Sequence, residues 1–229
     1  MCGRTALTAS PEDLVAALGL DEAPLVRPRY HVTPSQPLDA VRAVRGPRRL
    51  ERLRWGLVPA WAKDPKIGGK LALARVETVT TANAFRDAIR RRRCLIVVDG
   101  FYEWKRDGKA SWPYFAHRPD RRAFTLAGLW DRWVSRDGEV VESCAILTRP
   151  ALDPLAAVHD RMPLVVEPEL RDRWLDSDLT EVDALIASAM ARTPALVIYA
   201  VSPYVNDPHH DDAGCLEPGA PPQQALFRP

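Results

Sequence analysis

Two Asp-Gly pairs, Asp107-Gly108 and Asp137-Gly138, constrain this chain more than any other feature, because strand-like sequence flanks each of them. Asp-Gly accepts the positive φ angles of a tight turn whose twist matches antiparallel strands, so each pair predicts a β-hairpin. Before the first, Cys94-Leu95-Ile96-Val97-Val98 reads as a buried strand that delivers Asp99-Gly100-Phe101-Tyr102-Glu103-Trp104 at its end. The chain then returns through Pro113-Tyr114-Phe115. The second hairpin runs from Ala123-Phe124-Thr125-Leu126 through Trp130 and Trp133 and back along Ser143 to Thr148.

Around this frame the pattern predicts further strands at Leu38 to Val44, Arg52 to Val58 and Ala195 to Val201. Short helices are expected after the Ser10-Pro11-Glu12-Asp13 start signal, over residues 81 to 90, after Asp153-Pro154 and Pro168-Glu169, and from a capping box at Thr180-Glu181-Val182-Asp183. Trp55, Trp61, Trp130 and Trp133 are expected in the core. The Arg90 to Arg93 run suits a helix C-terminus and reads as a solvated face, with nucleic-acid contact as its alternative. Residues 203 to 229 read as a polar, proline-rich tail that either wraps the surface or is disordered. Successive hairpins interleaved with short helices imply a mixed, mostly antiparallel α+β fold without internal repeats.

The chain has 229 residues and a formal net charge of +2, which excludes a wholly basic nucleic-acid coat but leaves room for a local basic groove. No apolar run approaches the roughly 20 residues of a membrane helix, and the start has no secretory pattern, so a cytoplasmic location is expected. The four cysteines, at 2, 94, 144 and 215, show no Cys-x-x-Cys spacing. A reducing compartment fits them better than a zinc site or a disulfide framework. A metal site from His209, His210, Asp211 and Cys215 reads more simply as solvated loop, and no metal or cofactor is expected.

Chemistry concentrates at the opening Met1-Cys2-Gly3-Arg4. Loss of Met1, which a side chain as small as that of Cys2 permits, would leave a cysteine with a free α-amine of pKa about 8 beside a thiol of about 8.5. Such a 1,2-aminothiol condenses with an aldehyde to an imine, and the thiol then closes a thiazolidine ring. An internal cysteine cannot. Glu103, between aromatics, could have a raised pKa suited to proton transfer in that sequence, and His159, beside Asp160 and Arg161, is a second candidate for proton transfer.

Taken together, Met1-Cys2-Gly3-Arg4, Arg54-Trp55-Gly56-Leu57-Val58-Pro59-x-Trp61, Ala74-Arg75-Val76-Glu77-Thr78, Gly100-Phe101-Tyr102-Glu103-Trp104 and His159-Asp160-Arg161-Met162-Pro163 resemble the SRAP family, the SOS-response-associated peptidase domain. The resemblance continues through Val201-Ser202, Val205-Asn206 and Glu217-Pro218. It implies a single domain over residues 1–218 with a tail over 219–229, built of barrel-like twisted sheets with short flanking helices. It also implies a monomer that detects abasic sites in single-stranded DNA and links to them covalently through Cys2, with Glu103 and His159 as catalytic partners. Gly3, Arg4, Arg75, Arg86, Trp104, Thr148 and Arg161 match positions expected to contact the DNA. Self-processing of Met1 as a peptidase and lyase activity at the abasic site are further implications.

Two positions depart from the family pattern. Leu73 stands where relatives carry Asn before Ala-Arg, an amide expected to contact the sugar, and His31 where they carry Asn after Arg-Tyr, expected in the site wall, so a slower or differently tuned member is expected. Met-Cys-Gly also opens glutamine amidotransferases of the N-terminal nucleophile class, the alternative enzyme reading. A single-strand binding module without the chemistry is the non-enzyme reading.

Overall fold

The computed structural model describes residues 3–42, 48–108 and 110–221. In chain order the elements are β1 (Thr5–Leu7), α1 (Pro11–Leu18), β2 (Arg29–Val32), β3 (Pro37–Arg42), β4 (Leu50–Trp55), β5 (Leu73–Arg75), α2 (Arg86–Arg91), β6 (Arg93–Val98), β7 (Gly100–Asp107), β8 (Ala110–His117), β9 (Phe124–Val134), β10 (Val140–Pro150), β11 (Arg161–Pro163), β12 (Val165–Val166), α3 (Arg171–Leu175), α4 (Val182–Met190) and β13 (Val197–Ala200). One sheet has the order β13-β8-β7-β1-β2, and the other runs β11-β10-β4-β3-β6-β9-β12. Because β9 also pairs with β10, strands β10, β4, β3, β6 and β9 close on themselves into a five-stranded barrel. Among the described residues only β10 with β4 and β10 with β5 run parallel. The fold is therefore α+β, mostly antiparallel and barrel-like.

The apolar run of β6 shows why it is buried on both faces. Cys94, Ile96 and Val98 point into the barrel with Leu53, Trp55, Leu126 and Ile146, whereas Leu95 and Val97 point outward against the helices, with Leu14, Ile89, Trp174 and Leu185. Alternation with a period of two on a strand covered on both sides leaves no polar face. At Asp99 the chain leaves the barrel and enters the second sheet as β7. Both hairpins form as expected, across β7–β8 and β9–β10. Gly100 is required at the corner, since a Cβ there would stand 2.4 Å from the Ala116 carbonyl oxygen. Ser10 caps α1 through the Asp13 amide.

Several local expectations are corrected. The strand expected over Arg52 to Val58 stops at Trp55, because Gly56 turns the chain with φ +127°. The strand expected over Leu38 to Val44 starts at Pro37 and is described as far as Arg42, residues 43–47 lying outside the described set. Helix over 81–90 is confined to Arg86–Arg91, preceded by turns in which the Thr81 hydroxyl bonds the Thr78 carbonyl. The capping box is absent, and Glu181 stands at the N-cap of α4 without a side-chain bond. Trp55 and Trp133 are core, each donating its indole N–H to a carbonyl, Ala72 and Ala62 respectively. Trp130 is half-buried under the Arg42 guanidinium. Trp61 is 51% exposed, since Ala62 takes the inward place beside Trp133.

The arginine run is not one solvated face. Arg93 is buried and donates to the carbonyls of Ile89 and Arg90 at the end of α2 and of Trp174 and Asp176 at the end of α3, so it caps two helices at once. Arg92 pairs with Asp131, while Arg90 and Arg91 are exposed. The segment after residue 200 is also more than a polar tail. Val205 and Cys215 are buried against Tyr102 and Phe115, and Val201 bridges Pro218. Asp211 accepts from the Tyr30 and His31 amides, which straps the segment across β2. Among the described residues no helix is long and apolar enough to cross a membrane.

Candidate DNA-processing site

The site lies on the seam between the two sheets. β1 is inserted between β2 and β7, with Thr5 opposite Phe101, Ala6 opposite Gly100, and the Tyr102 amide donating to the Arg4 carbonyl. This antiparallel register carries the start of the chain along β7 toward Glu103. Phe101 points toward the barrel core and Tyr102 toward the opposite cluster, so alternation sends Glu103 to the barrel side and Trp104 to the side of the C-terminal strap. A cavity of about 320 Å³ results, lined by Gly3, Arg4, Glu103, Trp104, Arg106, Ser111 and His159. A larger one of about 660 Å³, between the end of α2 and residues 177–183, holds none of the expected catalytic residues. Cys2 lies outside the described residues. Gly3, its neighbour in the chain, lines the cavity.

Glu103 is 1% exposed and sits inside β7, not at a strand end as the sequence suggested. The single apolar run was in fact two strands joined at the Asp99 corner. His159 reaches the cavity from the loop before β11, with Nδ1 4.0 Å from Glu103 Oε1 and 3.0 Å from Asp160 Oδ1. The Arg161 amide donates to that same Nδ1 at 2.9 Å. The Arg161 carbonyl oxygen also lies 3.2 Å from Nδ1, so this nitrogen meets both a donor and acceptors.

The cations divide into two groups. Arg4 lies 4.6 Å above the Trp104 ring and donates through Nη1 to the Val205 carbonyl at 2.5 Å and the Asn206 carbonyl at 3.4 Å. Burial lowers its pKa from the usual guanidinium value. Arg161 forms a bidentate pair with Glu77 at 2.5 and 3.0 Å and also reaches the carbonyl and hydroxyl of buried Thr148. That pairing holds the Glu77 carboxyl below its usual range. Arg75 is exposed at the end of β5, opposite Thr148 across the parallel pair with β10. Arg75, Thr148 and Arg161 thus gather on one edge of the barrel. Arg86 stands apart at the start of α2, half-exposed, with Asp87 at 3.9 Å.

The two departures differ in kind. Leu73 is half-buried on β5 opposite Ile146 and packs on the barrel core. His31, expected in the site wall, is instead fully buried against Tyr102, with Nδ1 2.9 Å from the His210 carbonyl oxygen. It belongs to the strap, not to the cavity. Among the described residues no three His, Cys, Asp or Glu side chains are grouped to hold a metal ion. Sequence reasoning gave no role to Asn206, whose side-chain oxygen accepts from the Trp104 indole N–H at 2.8 Å. Apolar Val205 and Cys215 in an otherwise polar tail were the signal that the segment packs.

A family model described as SOS response associated peptidase (SRAP) matches residues 1–208. The chain belongs to the SRAP family. Over 222 residues it is 35% identical to the abasic site processing protein YoaM of Bacillus subtilis, which covers 95% of this chain and 98% of that one. It is 30% identical over 201 residues to the abasic site processing protein YedK of Escherichia coli, covering 85% and 88%. A phage-related protein from Bordetella bronchiseptica aligns with a TM-score of 0.69 at 32% identity, over 87% of this chain and 94% of that one. A protein from Bacteroides thetaiotaomicron shares the SRAP fold, with a TM-score of 0.82 at 23% identity over 96% and 100%.

Proposed function

We propose that this SRAP protein processes abasic sites in single-stranded DNA by trapping the open-chain sugar aldehyde on Cys2 once Met1 is gone. The observation that carries the reading is the cavity in which Gly3, Glu103 and His159, distant in sequence, converge beside Trp104. The Cys2 α-amine attacks C1′ of the aldehyde and forms a C–N bond, and loss of water gives the imine. The Cys2 sulfur then adds to the imine carbon and the nitrogen takes up a proton. The net change is aldehyde plus aminothiol to thiazolidine plus one water.

Each step moves a proton, which is the task given to Glu103. His159, as the imidazolium, would protonate the sugar ring oxygen during ring opening. Trp104 offers one ring face to a base, because Arg4 covers the other. Arg75, Arg86, Arg161 and Thr148 are assigned to the backbone, with Gly3 allowing the strand close approach. Removal of Met1 by self-processing and cleavage of the DNA at the abasic site are the accompanying peptidase and lyase activities. We assign the chain as one domain over 1–218, acting as a monomer in the cytoplasm, where the buried free thiols Cys94, Cys144 and Cys215 suit reducing conditions.

The test is a denaturing gel of the processed protein mixed with an abasic single-stranded oligonucleotide. A heat-stable adduct is expected, lost in Cys2→Ala and formed on the order of 10²-fold more slowly in Glu103→Gln. Restoring the family amide with Leu73→Asn is expected to speed adduct formation about fivefold if a buried sugar partner is otherwise unpaired. Salt-sensitive binding without an adduct would instead identify a single-strand binding module.

A further inference from the structure

One four-residue turn, 200 residues from the chain's start, holds both members of the cation–π pair at the cavity. The turn is the 3₁₀ segment Pro203–Asn206, capped by the Ser202 hydroxyl on the Tyr204 amide and pinned by Val205, which is buried against Tyr102 and Phe115. Its last two carbonyls receive Arg4 and its last side chain receives the Trp104 indole N–H. An indole has one donor and two faces. Fixing the donor sets the ring's rotation, and Arg4 over one face leaves the other for a ligand. Trp104 is half-buried on the strap side of β7, with its ring 6.3 Å from that of Tyr102 at a tilt of 41°.

We propose that Asn206 is a positioning residue that orients Trp104 for base stacking, so that the capture of abasic DNA depends on the C-terminal strap. This rests on the function proposed above. Asn206 touches no reacting atom in this scheme. Its loss should weaken engagement of the strand and leave the aminothiol chemistry intact. The experiment compares wild type, Asn206→Ala, Trp104→Phe and the double variant in single-turnover adduct formation across a range of abasic oligonucleotide concentrations. A second arm follows condensation of the same proteins with propionaldehyde, which has no base to stack, by mass spectrometry.

Asn206→Ala should raise the half-saturating DNA concentration about fivefold, the effect of one net hydrogen bond, with the propionaldehyde rate unchanged. Trp104→Phe keeps a ring but has no N–H, so adding Asn206→Ala to it should cause no further loss. Tyr204→Phe removes a different strap hydrogen bond, the one from the Tyr204 hydroxyl to Asp212, and should behave as wild type. The inference is overturned if Asn206→Ala matches wild type, if its effect multiplies with that of Trp104→Phe, if propionaldehyde capture slows equally, or if Tyr204→Phe gives the same defect. Anisotropy with an undamaged single-stranded oligonucleotide separates the two proposals. A wild type that forms no adduct refutes the covalent reading, while a fivefold weaker anisotropy affinity in Asn206→Ala still upholds the positioning role.

Discussion

His31 carries the clearest pH signature at the scale of single residues. It is fully buried, its Nδ1 meets the His210 carbonyl, and burial lowers its pKa, with Arg4 adding to the effect and Asp211 opposing it. The unfolded chain binds a proton on this residue below about pH 6.5, and the folded chain resists it. Stability present above that pH is therefore lost as pH falls toward the depressed folded value. His31→Asn, the residue relatives carry, should shrink the fall in Tm between pH 7.5 and pH 5 seen by thermal denaturation. An equal fall in both proteins would refute the assignment. Part of the fall should persist, because burial lowers the pKa of His117 as well. The sequence marked His31 as unusual but gave the wrong place for it, since nothing local reveals that residues 210 and 211 fold back over β2. Glu103 was legible as a candidate because its motif was, whereas its burial inside β7 depends on β1 and β8 flanking it.

Strands were easier to read than helices, and the reason is visible in particular elements. β7 with β8 and β9 with β10 combine strand-like sequence with an Asp-Gly turn between them, two signals that agree. α2 has only six residues and its apolar side chains are shared with the turns before it, so local periodicity overstated its length. The element that gathers cations is the edge formed by β5, β10 and β11, and there the two arginines should behave differently. Arg75 is exposed, and Arg75→Ala should lower the slope of log affinity against log salt by about 0.7 for single-stranded DNA, without change in Tm. Arg161 ties Glu77 to the Thr148 carbonyl, so Arg161→Ala should lower both the slope and the Tm. Equal Tm losses in the two variants, measured by calorimetry, would contradict this division.

The whole molecule is knit across its sheets: Phe101 of the second sheet joins the barrel core, and the strap packs on Tyr102. One cooperative unfolding transition is expected, with tryptophan fluorescence and far-ultraviolet circular dichroism giving the same midpoint. Two separated midpoints would refute the single-domain assignment. The union of β1 with the strap could not be read locally, because it is a contact between Arg4 and Val205, 201 positions apart in sequence. That closure has a consequence for biogenesis. Synthesis makes residue 205 about 200 residues after residue 4, so on a nascent polypeptide the Arg4 guanidinium has no Val205 carbonyl to meet until the strap has emerged. Completion of that wall of the cavity thus waits for the strap to be made.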